Sequence, residues 1–245
     1  MKLRYLLGLL GLFALLVVGF VGSTALAAAP GSYTCSGGVI PAGTYNGLKI
    51  AAGSTCAFAG GTVEITGDLV VEDGAILNDH AGPVASVHVT GNVKVGKGAV
   101  LGLGSYNPFA QQVTVVDGNV QANKPGTLYL SFMTIRGNLT SNGGGDPERN
   151  FPIKDITVGG NLSIQGWTGL WMGVIRDTVG GNVIVHNNTA VDPSTLPGVD
   201  STEVVNNDIA GNLSCQHNSP PAQIGDAEQP GSRVSGNKIG ECATF

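Results

Sequence analysis

A glycine followed by asparagine or aspartate recurs through this chain, and that recurrence restricts the fold more than any other feature. The pairs are Gly67-Asp68, Gly91-Asn92, Gly118-Asn119, Gly137-Asn138, Gly160-Asn161, Gly181-Asn182, Gly211-Asn212 and Gly236-Asn237, at intervals of 19 to 30 residues averaging about 24. Asn46-Gly47-Leu48-Lys49-Ile50 reads as a degenerate earlier copy. Repeats of this length point to an architecture of stacked units.

The flanks keep phase with the pair. Two residues before each glycine stands Ile65, Val89, Val116, Ile135, Val158, Val179, Ile209 or Val234, all β-branched. Two residues after it come Leu69, Val93, Val120, Leu139, Leu162, Val183 and Leu213, and then the exception, Lys238. Three residues before it the side chain is polar in every copy but Val115. Alternation with period two on both sides of a corner is the pattern of short half-buried strands, not of helices. The glycine suits a corner that needs positive φ. Gly74-Ala75-Ile76-Leu77 and Gly98-Ala99-Val100-Leu101 supply a further strand in two coils.

One such unit cannot bury its apolar face alone. Stacking the units puts the in-phase Val, Ile and Leu residues into one continuous core. The expected fold is all-β: a parallel β-helix, or solenoid, of about eight or nine coils. At ~4.8 Å per coil it makes a rod of roughly 40 Å. Stacking also lines up Asn92, Asn119, Asn138, Asn161, Asn182 and Asn212 as a structural ladder whose amides satisfy one another and the bent backbone. Asn138, Asn161 and Asn212 match the N-glycosylation sequon, and the ladder accounts for those matches.

Residues 1–29 read as a signal peptide, a helix preceding the solenoid. Lys2 and Arg4 precede an apolar run from Leu6 to Val21, and Ala25–Ala29 offers small-residue cleavage sites. An uncleaved anchor is the alternative, because the run is long for a leader. Residues 30–245 then form a single β-helix domain. Glycine makes up about 16 % of it, against a usual ~7 %. Ten basic residues face seventeen acidic ones there, a net charge of −7. That balance argues against nucleic-acid binding, and the glycine content argues against a helical bundle. The patterned 42 % of hydrophobic residues argues against disorder.

Four cysteines remain, one pair near each end. Behind an export signal an even number reads as disulfides. Cys35 to Cys56 spans 21 residues and Cys215 to Cys242 spans 27, each close to one repeat. Residues one coil apart lie within disulfide range, so these pairings are expected, stapling the end coils. Metal binding is the rival reading. No CxxC occurs and no His stands at ligand spacing from a Cys, so no metal and no cofactor is expected.

The Gly-Asn-Leu/Val coils resemble right-handed parallel β-helix proteins, the architecture of the pectin-lyase-like superfamily and, with shorter coils, of bactofilins. Trp171-Met172-Gly173-Val174-Ile175-Arg176 leading into Gly180-Gly181-Asn182-Val183 resembles secreted bacterial β-helix proteins of uncharacterised function. So does the tail from Gly211-Asn212-Leu213-Ser214-Cys215 through Asn218, Pro220, Gly225-Asp226 and Gly236 to Gly240-Glu241-Cys242. The resemblance implies the right-handed sense and supplies no activity.

The Asn-Thr-Asp, Asp-Asp, Gly-His-Gly and Arg-Ile-Lys motifs of polygalacturonase-type hydrolases do not occur. The insertions 143–152, 187–202 and 216–232 are where a site would be, since loops leaving a solenoid can share one face. They carry Asp146, Glu148, Arg149, Asp192, Asp200, His217, Asp226 and Glu228. Asp226 with His217 or Glu228 could do acid–base work, or these residues are turn caps in solvated loops. Trp167 and Trp171 are either platforms for sugar rings or plugs where the repeat shortens. His88 belongs to a surface contact beside Glu64, and His186 begins the turn at Asn187-Asn188. The Thr134, Thr157 and Thr178 column is ordinary β-sheet surface.

Two functions follow as expectations. The first is a secreted, extracellular, non-catalytic β-helix, monomeric, meeting a polysaccharide or a surface protein, with no nucleic-acid or membrane partner after cleavage. The second is a polysaccharide lyase or glycoside hydrolase using the three loops. Self-assembly through the solenoid edges is a third possibility, which capped ends oppose.

Overall fold

The computed structural model describes residues 31–78, 85–105, 113–190, 202–225 and 231–243. The leader and its cleavage sites therefore lie outside the described residues, as do Asp192, Asp200, Asp226 and Glu228. No described helix is long and apolar enough to cross a membrane.

The chain is a parallel β-solenoid with three walls. The first wall has ten strands, from Ser32–Cys35 to Lys238–Gly240. The second has eight, from Gly38–Ile40 to Thr202–Val205, and the third nine, from Gly43–Tyr45 to Arg233–Val234. The repeat phase is the pairing register. Leu69, Val93, Val120, Leu139, Leu162, Val183 and Leu213 stack in turn on the first wall. Leu48 precedes them, so the degenerate first copy is a true coil. Ile65, Val89, Val116, Ile135, Val158, Val179 and Ile209 stack on the third. Both columns point inward and are buried, making one apolar core along the rod. Lys238 lies over Leu213 in the last layer, half-buried.

The corner between the third and first walls holds the amide ladder. From Asn92 to Asn182 each asparagine Oδ1 accepts both the backbone N–H and the Nδ2–H of the asparagine one coil later. For Asn119 on Asn92 the distances are 3.0 and 3.1 Å, and for Asn182 on Asn161 they are 2.8 and 3.2 Å. Asn138, Asn161 and Asn212 all commit their amide nitrogens in this way, as the ladder reading of their sequons requires. The run starts at Asp68, an acceptor with nothing to donate, whose Oδ1 receives Asn92 N–H at 2.8 Å. It ends at Asn237, whose N–H meets Asn212 Oδ1 at 2.8 Å.

The glycines of this corner are needed for a different reason from the one expected. None of Gly67, Gly91, Gly118, Gly137, Gly160, Gly181, Gly211 and Gly236 is among the positive-φ residues. They stack backbone on backbone instead: Gly118 N–H donates to Gly91 O at 3.1 Å, and Gly137 N–H to Gly118 O at 3.1 Å. A Cβ on Gly118 would lie 2.4 Å from Gly91 O and 2.8 Å from Asn92 Oδ1. Glycine is there because the coils approach too closely for a side chain, and that close approach is what lets the asparagine rungs reach one another.

Left-handed backbone occurs at the other corners. At the corner after the first wall it falls on Gly74, Gly98, Lys124, Gly143, Gly166, Asn187 and His217, and between the second and third on Phe132, Asp155, Arg176 and Asn206. Asparagine tolerates that conformation better than most residues.

Both disulfides form as paired, with Cα–Cα distances of 6.5 Å for Cys35–Cys56 and 5.3 Å for Cys215–Cys242. Neither is a vertical link between stacked positions. Cys35 is in register with Ile50 and Cys56 with Gly38, so the first bridge runs diagonally from one wall to the next. Cys215 is in register with Gly240, and its bridge reaches on to the 3-10 turn Glu241–Ala243 that closes the end. Each closes a loop of a size worth about 3 kcal/mol.

The two kinds of glycine should respond to substitution with losses of different size. Gly118→Ala forces a backbone carbonyl aside and should cost about 1–3 kcal/mol. Gly98→Asn meets nothing within 4 Å at φ +66° and should cost about 1 kcal/mol or less. Thermal unfolding of the two variants beside the parent distinguishes them; equal losses would contradict the steric account.

Candidate functional site

The first wall turns polar side chains outward between its buried columns. On strands Val93–Val95, Val120–Asn123 and Leu139–Asn142 these are Lys94, Gln121, Asn123, Thr140 and Asn142, with the apolar Val70 beside them on Leu69–Val71. Gly96 provides no bulk where the coils on either side carry Glu72 and Asn123, Ala52 adds little at the edge, and the wall sinks there into a groove of about 770 Å³. Gly96 has a reason of its own, since a Cβ would lie 2.4 Å from Asp73 Oδ1.

The charges at the rim are spoken for. Lys94 Nζ lies 2.6 Å from Asp68 Oδ2, and Lys49 Nζ 3.0 Å from Glu72 Oε1. These ammonium groups hold both carboxyls below their ordinary pKa. Glu72 Oε2 also accepts Ala52 N–H, and Asp73 Oδ1 accepts Lys97 N–H. Gln121, Asn123, Thr140 and Asn142 are different: among the described residues, no hydrogen-bond partner occupies their side chains. The same outward rows continue through Ser163, Gln165 and His186, where Gln165 donates to Ser163 Oγ and His186 Nε2 pairs with Ser214 Oγ.

On the third wall His88 stands between two carboxylates, as its place beside Glu64 suggested. Nδ1 is 2.9 Å from Glu64 Oε1 and Nε2 is 2.9 Å from Asp117 Oδ2. Arg136 Nη1 lies 2.9 Å from the other Asp117 oxygen, close enough for an ion contact but without hydrogen-bond alignment. Bonding to Asp117, with the charge of Glu64, raises the imidazole pKa. Both ring nitrogens are engaged, so this histidine is a clamp between coils rather than a base with a free lone pair.

The tryptophan expectation divides. Trp167 is fully buried: its Nε1–H donates to Gly126 O at 3.2 Å and its ring lies 5.2 Å from Phe151. It cannot carry a sugar ring and is the interior plug, crowded against Gly169. Trp171 is half-buried on the outer face of the second wall, over Gly173, with Lys154 Nζ 4.7 Å from its ring centroid. That ring face is occupied by a cation.

His217 is exposed at a left-handed corner position, φ +55°. Its proposed partner Asp226 lies outside the described residues. Asp146 is a turn cap: Oδ1 accepts Glu148 N–H at 2.9 Å and Oδ2 binds Arg149 Nε at 2.8 Å. Of the three insertions, 143–152 follows the first-wall strand Leu139–Asn142 and ends in the second-wall strand Asn150–Lys154, whereas 191–201 and 226–230 of the other two lie outside the described residues.

The groove was not anticipated. Its signal was the outward polar row Gln121, Asn123, Thr140 and Asn142 beside the alanine and glycine that make room. Comparison with protein-family models, with curated proteins and with solved structures found no match to this chain.

The histidine clamp has a pH signature. Its folded pKa lies above the ~6.5 of a free imidazole, so its stabilisation is complete below that pH and is lost as pH rises through the folded value. The unfolding midpoint of the parent should fall relative to His88→Gln above about pH 6.5. Parallel midpoint curves would show that the clamp carries no such linkage.

Proposed function

We propose that this protein is a non-catalytic extracellular binding solenoid, and that the groove on its first wall holds a glycan chain. The observation that carries the reading is the set of open amide and hydroxyl groups on Gln121, Asn123, Thr140 and Asn142, spaced by strand register, in a groove whose charged rim is internally paired. Amides and hydroxyls exchange hydrogen bonds with sugar hydroxyls in the same geometry they use with water. A rim whose Lys49 and Lys94 are already paired favours an uncharged polysaccharide over an acidic one. Two disulfides suit an oxidising compartment, and the N-terminal leader pattern supports export to it.

The state of the carboxylates supports binding over hydrolysis. Glycosidases need one carboxylic acid and one free carboxylate flanking the bond. Among the described residues, Asp117, Asp155 and Asp208 face basic groups, as do Asp68 and Glu72 beside the groove. Asp177, raised in pKa, is buried away from any substrate.

Immobilised neutral and acidic polysaccharides should separate the readings. Neutral chains should be retained by the parent, and Gln121→Ala/Asn123→Ala should bind about tenfold or more weakly, from two lost hydrogen bonds at ~1 kcal/mol each. Unchanged binding by the double variant would remove the groove from the account. Depolymerisation lost on Asp226→Ala would favour the enzymatic alternative.

A further inference from the structure

The two corners with left-handed residues carry short ladders of their own, and these obey one rule. A corner side chain accepts the N–H of residue k in the coil below and donates to the carbonyl of residue k−3, and for all but Ser232 it directly follows a left-handed residue. Asn188 Oδ1 accepts from Trp167 N and its Nδ2 donates to Ile164 O. Asn218 does the same with Asn188 N and Val185 O. Asn207 Oδ1 accepts from Asp177 N and its Nδ2 donates to Val174 O. Ser232 Oγ accepts from Asn207 N and points to Val204 O at 3.4 Å.

Asp177 occupies the next rung down. Its Oδ1 accepts Ile156 N–H at 2.9 Å, following the first half of the rule. The second half places its Oδ2 toward Ile153 O, because Ile153 is in register with Val174. Oδ2 is buried and has no hydrogen-bond partner among the described residues as a carboxylate oxygen. Two acceptors cannot bond each other; an oxygen in this place fits only if it carries a hydrogen.

We infer that Asp177 is a neutral carboxylic acid in the folded protein, its Oδ2–H donating to the Ile153 carbonyl, so that one corner of the solenoid is latched by a proton. Glu241 shows the contrast. At the end of the neighbouring ladder its oxygens receive Asn218 N–H, Asn218 Nδ2–H and Ala222 N–H, three donors that suit an anion. The charged groups around Asp177 do not replace the proton. Asp155 and Arg176 neutralise each other through two 2.7 Å hydrogen bonds. Lys154, on the adjoining strand, is drawn toward Trp171 and is itself partly desolvated. Burial, the leading influence on Asp177, acts in the same direction as the geometry.

The latch closes in mild acid and opens as pH rises. A carboxyl whose folded pKa exceeds its unfolded value of ~3.9 binds more protons folded than unfolded between those pH values, so stability falls across that window. Asp177→Asn supplies the same acceptor and a permanent donor, as Asn207 does one coil later.

The test is denaturant unfolding of full-length parent and Asp177→Asn between pH 5 and 6.5, where the clamp at His88 is common to both. The parent's folding equilibrium constant should fall relative to the variant's by up to about tenfold per pH unit, the limit for one proton. Infrared spectra of the parent should keep one protonated-carboxyl band at pH 6 that Asp177→Asn lacks. Parallel unfolding profiles, absence of that band, or an Asp177→Asn chain that does not fold would each overturn the inference.

Discussion

Close stacking of glycine on glycine is the constraint from which the rest of this solenoid follows. Backbone N–H to carbonyl distances of 2.9–3.1 Å between successive glycines bring the corners of neighbouring coils together. Only at that separation does an asparagine Oδ1 reach two donors in the next coil. The ladder then fixes the vertical register, and register decides which side chains point inward. A slip of one residue would turn the Leu, Val and Ile columns out to solvent. A polar interaction at the surface thus specifies an apolar core that it does not touch.

The other corners solve the same problem differently. Each uses a left-handed residue and then an acceptor–donor side chain, asparagine where both functions are needed and serine or an acid where the run begins or ends. Asp68 and Glu241 are acids whose positions call for acceptors alone. Asp177 is an acid where a donor is also required. Ladder position therefore sets which carboxyls are charged, and with it how the fold answers pH.

Much of the architecture was legible because the repeat is strict in its apolar positions: Val89 and Val93 bracket their corner at the same offsets as Val179 and Val183. The reason for the glycines was not, since periodicity cannot distinguish a left-handed turn from a close approach of two backbones. The shorter ladders escaped notice because Asn188, Asn207 and Asn218 recur only once or twice and their acceptors differ. Trp167 and Trp171 read alike in sequence, and their places in the coil separate them: Trp167 stands at a corner before Thr168–Gly169 with its ring in the core, and Trp171 opens a second-wall strand on the outer face. The groove depends on the absence of bulk at Ala52 and Gly96 beside residues from other coils, a coincidence visible only once the coils are stacked.

Hydrogen exchange at the backbone amides of Asn119, Asn138, Asn161 and Asn182, followed by NMR, tests the central claim most directly. These residues sit at half-exposed or exposed bends, where an unpaired amide exchanges freely. If each N–H is held by the asparagine below, exchange should be slowed to the level of the core strands, as for Val120 and Leu139. Exchange at the rate of open turns would mean that the column of amides does not hold the coils together.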